Sequence, residues 1–291
     1  MGDALLDVRV IPSGPMQPGA DVPASVDVRP GGQGSNIAVR LARRGLRTRL
    51  VTRLGRDASG TLVCDALAAD GVEVVDLGAP QTGAVVVILG GDGDRTMLSQ
   101  RVPLLPAGLE PAAIQQPGWL VVSGYLLLEA PGVGLSASGA TPRRAIAGCA
   151  IGPAQVDGWV ASVAAMQPHL VVLNVAEALV LAASGGEPDR LSRDLGERFG
   201  ALVVVTHPSG AAAVLEEEVI LVDQGRSRPA RDTTGAGDAF TAALIGELID
   251  CTWPPSPDIL RSAMDVACAF AAAVTLVDGA QGRVAGEGPG E

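Results

Sequence analysis

The sequence predicts an α/β fold: a doubly wound, mainly parallel sheet carrying a small antiparallel β lid. Three observations predict it. Amphipathic helical patterns alternate with short apolar runs. Those runs are continuous rather than alternating, as strands covered on both faces are. From residue 118 onward the order repeats as strand, helix, strand, the rhythm of a sheet with helices on both sides. At 291 residues, with 47% hydrophobic and 18% charged side chains, the chain can bury a large core; length alone allows one large domain or two ordinary ones, and the chain is taken as one, 1–291. Aromatics make up 2% of the residues, so Val, Leu, Ile and Ala must fill that core.

Taken in order, residues 8–30 and 82–102 carry short alternating pieces such as Ser25–Val28 and Thr82–Leu89, separated by Gly and Pro turns. They predict the lid sheet. Ser35–Arg44 and Ser59–Ala69 have helical spacing; Leu50–Thr52, Leu120–Ser123, Leu170–Leu173 and Leu202–Thr206 read as buried strands. Residues 131–144 and 252–258 are Gly/Pro/Ser-rich loops, and Asp238–Gly246 is an apolar helix. The end, 282–291, has four Gly and one Pro and is expected to be a flexible tail.

Composition excludes several functions. A formal charge of −11, with no Arg-rich run interleaved with aromatics, speaks against a nucleic-acid partner. Cys64, Cys149, Cys251 and Cys268 are scattered, with no CxxC or Cys/His cluster. A zinc site is not expected, and reduced thiols point to a cytoplasmic protein. The start, MGDALLDVRV, has neither a basic end nor a long apolar run, so no signal peptide is expected. No apolar stretch is long enough for a membrane span. All 21 basic residues are Arg, which removes every mechanism needing a lysine amine, Walker A and Schiff-base chemistry included.

The stretch carrying the most chemistry is Asp232-Thr-Thr-Gly-Ala-Gly-Asp-Ala-Phe240. Small residues opening a helix let a phosphate approach backbone N–H groups at the positive end of the helix dipole. An acid at Asp238 beside that anion site has a use: it accepts the proton of an alcohol attacking phosphorus. The plainer alternative is an acid in a helix's first turn.

This stretch resembles the C-terminal signature of the ribokinase-like, or PfkB, carbohydrate kinases. Gly31-Gly-Gln-Gly-Ser-Asn36 with the following helix, Val51–Gly60, Gly2–Asp7 and Asn174-Val-Ala-Glu177 resemble further blocks of that family, in family order over nearly the whole chain. The resemblance implies an ATP- and Mg2+-dependent phosphotransferase acting on a primary hydroxyl of a sugar or sugar-like substrate. It implies Asp238 as catalytic base and Gly235, Ala236 and Gly237 as the anion hole. Asp7, Gly32, Gln33, Asn36 and Glu129 would contact the sugar. Asn174, Thr206, Ser209, Gly210 and Thr234 would contact the nucleotide. Glu177 would organise Mg2+ through water, and Asp232 and Thr234 would begin a monovalent-cation loop, with K+ as the ion. A homodimer through the lid is a further implication.

Departures from the family pattern also carry expectations. The family's first strand begins five or more residues before GDxxxD; here either the start is assigned late or the first strand is shortened. The nucleotide loop TLGxxG becomes Thr206-His-Pro-Ser-Gly210, one residue short, and Ala145–Ile151 lacks the usual Asp or Asn. The rival readings are a nucleoside kinase on the same fold and a sugar-binding regulator with impaired catalysis. Asn174 and Glu177 also fit a simple helix cap. His169 and His207 have no visible partner ligands. Arg40, Arg43, Arg44, Arg47 and Arg49 are expected on a solvated face; Arg95 and Arg101, in the lid, could reach phosphate or substrate, but surface exposure is the expectation.

Overall fold

A computed structural model describes residues 1–89, 95–103, 118–129, 142–182, 185–225, 230–285 and 287–288. Its centre is a six-stranded sheet in the order β12-β11-β10-β9-β8-β7. β7 (Trp119–Ser123), β8 (Arg143–Ala147), β9 (Leu170–Asn174) and β10 (Leu202–His207) run parallel, and β11 (Gly210–Leu215) and β12 (Glu218–Asp223) close it as antiparallel hairpins. The apolar runs are continuous because both faces are covered. Leu170, Val172, Leu202 and Val204 join one core cluster, while Val171, Leu173, Val203 and Val205 join the other. Helices α1 (Gln33–Arg43), α7 (Ala236–Glu247) and α8 (Pro257–Val274) carry the first cluster. Helices α3 (Gly124–Glu129), α4 (Val156–Met166), α5 (Val175–Ala182) and α6 (Pro188–Phe199) carry the second. Loop segment 131–141 falls outside the described residues.

A parallel pair, β3 (Thr48–Thr52) and β4 (Val72–Asp76), flanks α2 (Ala58–Ala69). The first residues bridge this pair to the main sheet: Gly2 N–H donates to Val51 O at 3.2 Å, and Ser123 N–H donates to Met1 O at 2.9 Å. Beside these bonds lies a cleft of about 210 Å3, lined by Thr48–Val51 and Trp119–Val121.

The lid is a four-stranded sheet, β2-β1-β5-β6. β1 (Leu5–Pro12) and β2 (Ala24–Gly31) pair antiparallel, as do β5 (Gly83–Leu89) and β6 (Arg95–Gln100). The two hairpins join through a parallel β1–β5 contact, so the lid is mixed rather than wholly antiparallel. Residues 5, 7, 9 and 11 of β1 and 85, 87 and 89 of β5 turn towards the cavities described below, following the period of two.

One expectation is corrected. The basic run on α1 is not a solvated face: Arg40 and Arg43 are buried. Arg40 pairs with Glu287 at 2.7 Å, and Arg43 holds both oxygens of Asp70 at 2.8 Å. Arg43 also donates to Gln281 O at 2.6 Å, and Arg283 donates to Asp70 at 2.9 Å; residues 286 and 289–291 of the expected tail lie outside the described residues. Among the described residues no helix is long and apolar enough to cross a membrane.

Candidate active site

Helix α7 begins at Gly235, whose φ of +78° is left-handed and whose absent Cβ would stand 2.7 Å from that of Ala280. Only glycine meets both demands. No described side chain caps this helix end. Ala236 N–H makes a 3.3 Å turn bond to Thr233 O. A Cβ at Gly237 would meet nothing within 4 Å. Gly237 is therefore not required by packing; it leaves room in front of the helix dipole.

Two cavities meet at that point. The first, about 290 Å3, lies under the lid and is lined by Asp7, Gly32, Gln33, Asn36, Asn174, Glu177 and Asp238, with Val85, Val87 and Met97 as its apolar wall. The second, about 830 Å3, is lined by Thr206, Ser209, Gly210, Ala236, Phe240 and an alanine-rich face of α8 that includes Ala269, Ala272 and Ala273. Thr206 and Gly237 belong to both. Asp238 faces the first cavity one residue beyond the junction.

Asp238 is held by Asn36, whose Nδ2 donates to Oδ2 at 2.8 Å. Burial pushes its carboxyl up to about 7, with the negative charges of Asp3 and Glu177 adding to the rise and Asn36 and Gln33 opposing it. A carboxyl poised there suits general-base work at neutral pH. Asp7 is raised by burial and by Asp232 nearby, against the pull of Arg29 and Arg9. Its Oδ1 is buried with no hydrogen-bond partner among the described residues, which a hydroxyl-bearing ligand would correct.

Gln33 is a clamp as much as a ligand-facing group. Its Nε2 donates to Gly148 O at 2.6 Å, and its Oε1 accepts from Ser123 Oγ at 2.7 Å and Gly124 N at 3.1 Å. It ties α1 to the ends of β7 and β8, where Ala145–Ile151 lacks a polar side chain of its own. Gly32, at φ +99°, is pressed against Asp3 O, which a Cβ would approach to 2.6 Å.

Asn174 and Glu177 do form the helix cap: Glu177 N donates to Asn174 Oδ1 at 2.9 Å and Asn174 N donates to Glu177 Oε2 at 3.0 Å. They also line the first cavity, so cap and site coincide. Burial raises the Glu177 carboxyl against the two bonds from Asn174. The short 206–210 segment is a tight hairpin in which His207 pairs with Gly210 and Ser209 Oγ lies 3.2 Å from His207 Nδ1. Thr234 reaches both the first cavity and the outer cleft that Asp232 lines. Burial alone would raise Asp232, but bonds from Thr234 N at 2.9 Å and Gly279 N at 3.0 Å bring it below its usual range.

One group in the cavity contradicts its expected exposure. Arg101 bonds Asp3 and lies 3.6 Å from the centre of the Tyr125 ring, with its side chain 18% exposed. The sequence offered no signal for this, because the partners are far away in the chain. Glu129 ends α3, and its side chain, like that of Arg95, falls outside the described residues. His169 is structural: its Nδ1 accepts from Arg144 N at 3.1 Å and its ring packs on Trp253. Among the described residues no cluster of three or more His, Cys, Asp or Glu is arranged for a metal.

Residues 1–285 match the model of the pfkB family carbohydrate kinases. A fructokinase of Klebsiella pneumoniae is 30% identical over 278 residues, 86% of this chain and 87% of its own length. Among solved structures, the ribokinase of Thermotoga maritima superposes with a TM-score of 0.79 at 20% identity, covering 96% of this chain and 93% of that one. The ribokinase of Giardia lamblia gives 0.80 at 17% identity, with coverages of 96% and 94%.

Proposed function

The chain belongs to the pfkB family of carbohydrate kinases and is an ATP-dependent sugar kinase; from that premise we propose that it moves the γ-phosphoryl group of ATP onto a primary hydroxyl of a free sugar, with Asp238 as general base. The observation that carries the reading is the position of Asp238. It faces a polar cavity one residue beyond the point where that cavity meets a larger, alanine-lined one, in the first turn of a helix that no described side chain caps.

In the proposed reaction ATP occupies the larger cavity and the sugar the smaller one. Asp7 and Asn36 orient the sugar's hydroxyls, with the unpartnered Asp7 Oδ1 accepting one of them. The acceptor oxygen gives its proton to Asp238 as its bond to phosphorus forms. The bond from phosphorus to the bridging oxygen breaks, and ADP leaves. The amides opening α7, Gly237 foremost, face the charge on the transferring group. Glu177, which lines the first cavity, would hold Mg2+ there through water. Magnesium supplies neutralisation of phosphate charge. Asp232 is engaged with Thr234 and Gly279, and Arg9 stands 4.0 Å from it; its role in this proposal is to shape the loop, and no step runs through a monovalent cation.

The enzyme would work in the cytoplasm, where ATP is plentiful. A homodimer fits the outer lid face, where Val26, Val28 and Leu98 are exposed on the side turned away from the cavities. The test is Mg2+-dependent ADP formation across ketohexoses, aldoses, sugar acids and nucleosides. Stimulation by a free sugar supports the reading. Stimulation by a nucleoside alone gives the site to a base-bearing substrate, and ligand-raised Tm without turnover makes the protein a sugar-binding regulator.

A further inference from the structure

After α8 the chain turns back over the start of α1, and Gln281 reaches into a hydrogen-bond relay there. Ser35 Oγ donates to Gly31 O at 2.6 Å. Having given its proton, Ser35 can only accept from Gln281, whose Nε2 lies 3.1 Å away. The same Nε2 lies 3.0 Å from Asn36 Oδ1. The amide of Gln281 therefore has one allowed direction: its two N–H bonds serve Ser35 and Asn36. Asn36 is then fixed as well. Its oxygen faces Gln281, and its Nδ2 faces Asp238 Oδ2 at 2.8 Å. The two ends of an amide are nearly alike in shape, so only its partners decide which end points where.

We propose that Gln281 is a positioning residue for phosphoryl transfer: by fixing the direction of the Asn36 amide it presents an N–H, not a C=O, to the base Asp238. A donor on the carboxylate favours the ionised, proton-accepting form. An Asn36 amide turned over would instead accept from protonated Asp238 and hold the base inactive. The relay works against the other groups that face Asp238. Asp3 from the first segment and Glu177 from α5 both disfavour its ionisation, and Gln33 on α1 joins Asn36 in opposing them. Arg101 is occupied by Asp3. Gln281 is itself well anchored. Arg43 donates to its carbonyl at 2.6 Å, and Arg40 donates to that of Ala280 at 2.8 Å.

This inference rests on Asp238 being the base, and its test separates the two. The pH dependence of kcat/KM is measured for wild type, Gln281→Leu, Ser35→Ala, Asn36→Ala and the Asn36→Ala/Gln281→Leu pair, with Asp238→Asn beside them and Tm recorded for each. The acid limb is expected to move up by about half a pH unit or more in Gln281→Leu, the scale of losing a directed donor. Ser35→Ala should move it by less, in the same direction. Adding Gln281→Leu to Asn36→Ala should move it no further, because the effect passes through Asn36. A lower Tm or a uniform rate loss with the limb in place overturns the relay, as does an equal shift in the Asn36→Ala background. If Gln281→Leu does not fold, Ser35→Ala alone decides, and an unmoved limb there counts against the relay. Full activity in Asp238→Asn would sink the base assignment itself, whatever the other profiles show.

Discussion

Replacing Asp238 by Asn should make the protein more stable while it removes activity. The carboxyl is raised from 3.8 to about 7, chiefly by burial. A raised folded-state value means that the native state holds its proton through a window in which the unfolded chain has lost it. Stability therefore falls as pH rises from about 4 to about 7 and stays lower above that. The difference corresponds to roughly 4 kcal/mol as an upper limit, at about 1.4 kcal/mol per pH unit. Solvent in the cavity reduces it, so about 1–4 kcal/mol is the expected gain at pH 8. Asn can still accept the Asn36 N–H bond, so little is lost on the other side. For a chain of this size that gain is a Tm increase of about 2–7 °C. The assay is thermal unfolding of both proteins between pH 4 and pH 8. The expected gap opens with rising pH and nearly closes at pH 4. A variant no more stable than wild type at pH 8, or a gap independent of pH, would refute the reasoning.

Other outcomes follow from the same geometry. In wild type, kcat/KM should fall tenfold per pH unit below about 7, because the base must be ionised; a pH–rate profile reads this directly. Gly237→Ala should leave Tm unchanged or higher, since no described residue occupies that space, yet raise KM for ATP, as measured by initial rates. Gly235→Ala should instead lower stability by about 1–3 kcal/mol in denaturant titrations, because it combines a left-handed φ with contact against Ala280. Glu287→Ala leaves Arg40 buried without its partner and should cost about 3–5 kcal/mol, read in the same titrations.

The parts of the fold legible in the sequence were those whose signal is local. β9 and β10 announced themselves as apolar runs because both of their faces are buried, and α7 announced itself by the glycines that open it. β11 did not: its Ala211 and Ala213 are buried in the cluster that α7 and α8 carry, where small size matters more than the β-branching that usually marks a strand. The hairpin at 206–210 could be read as shortened, but not that Pro208 and Ser209 make a tight turn which keeps Thr206 at the cavity junction. At the site, Asp238, Asn36 and Asp7 were legible because they sit in short motifs. Arg101 and Gln281 were not, for neither belongs to a local pattern. Their partners, Asp3 and Asn36, are reached only after the chain has folded. Arg40 and Arg43 were misplaced for the same reason, since the segment that buries them is the last one described.

The central claim is that Asp238 takes a proton from a sugar hydroxyl as phosphorus is transferred to it. The most direct measurement is 31P NMR of a reaction containing the protein, Mg2+, ATP and the sugar that best stimulates ADP formation. A sugar phosphomonoester should grow in step with ADP for wild type and be slowed at least ~100-fold in Asp238→Asn. Inorganic phosphate as the sole product, or a phosphomonoester formed equally fast by the variant, would contradict the account.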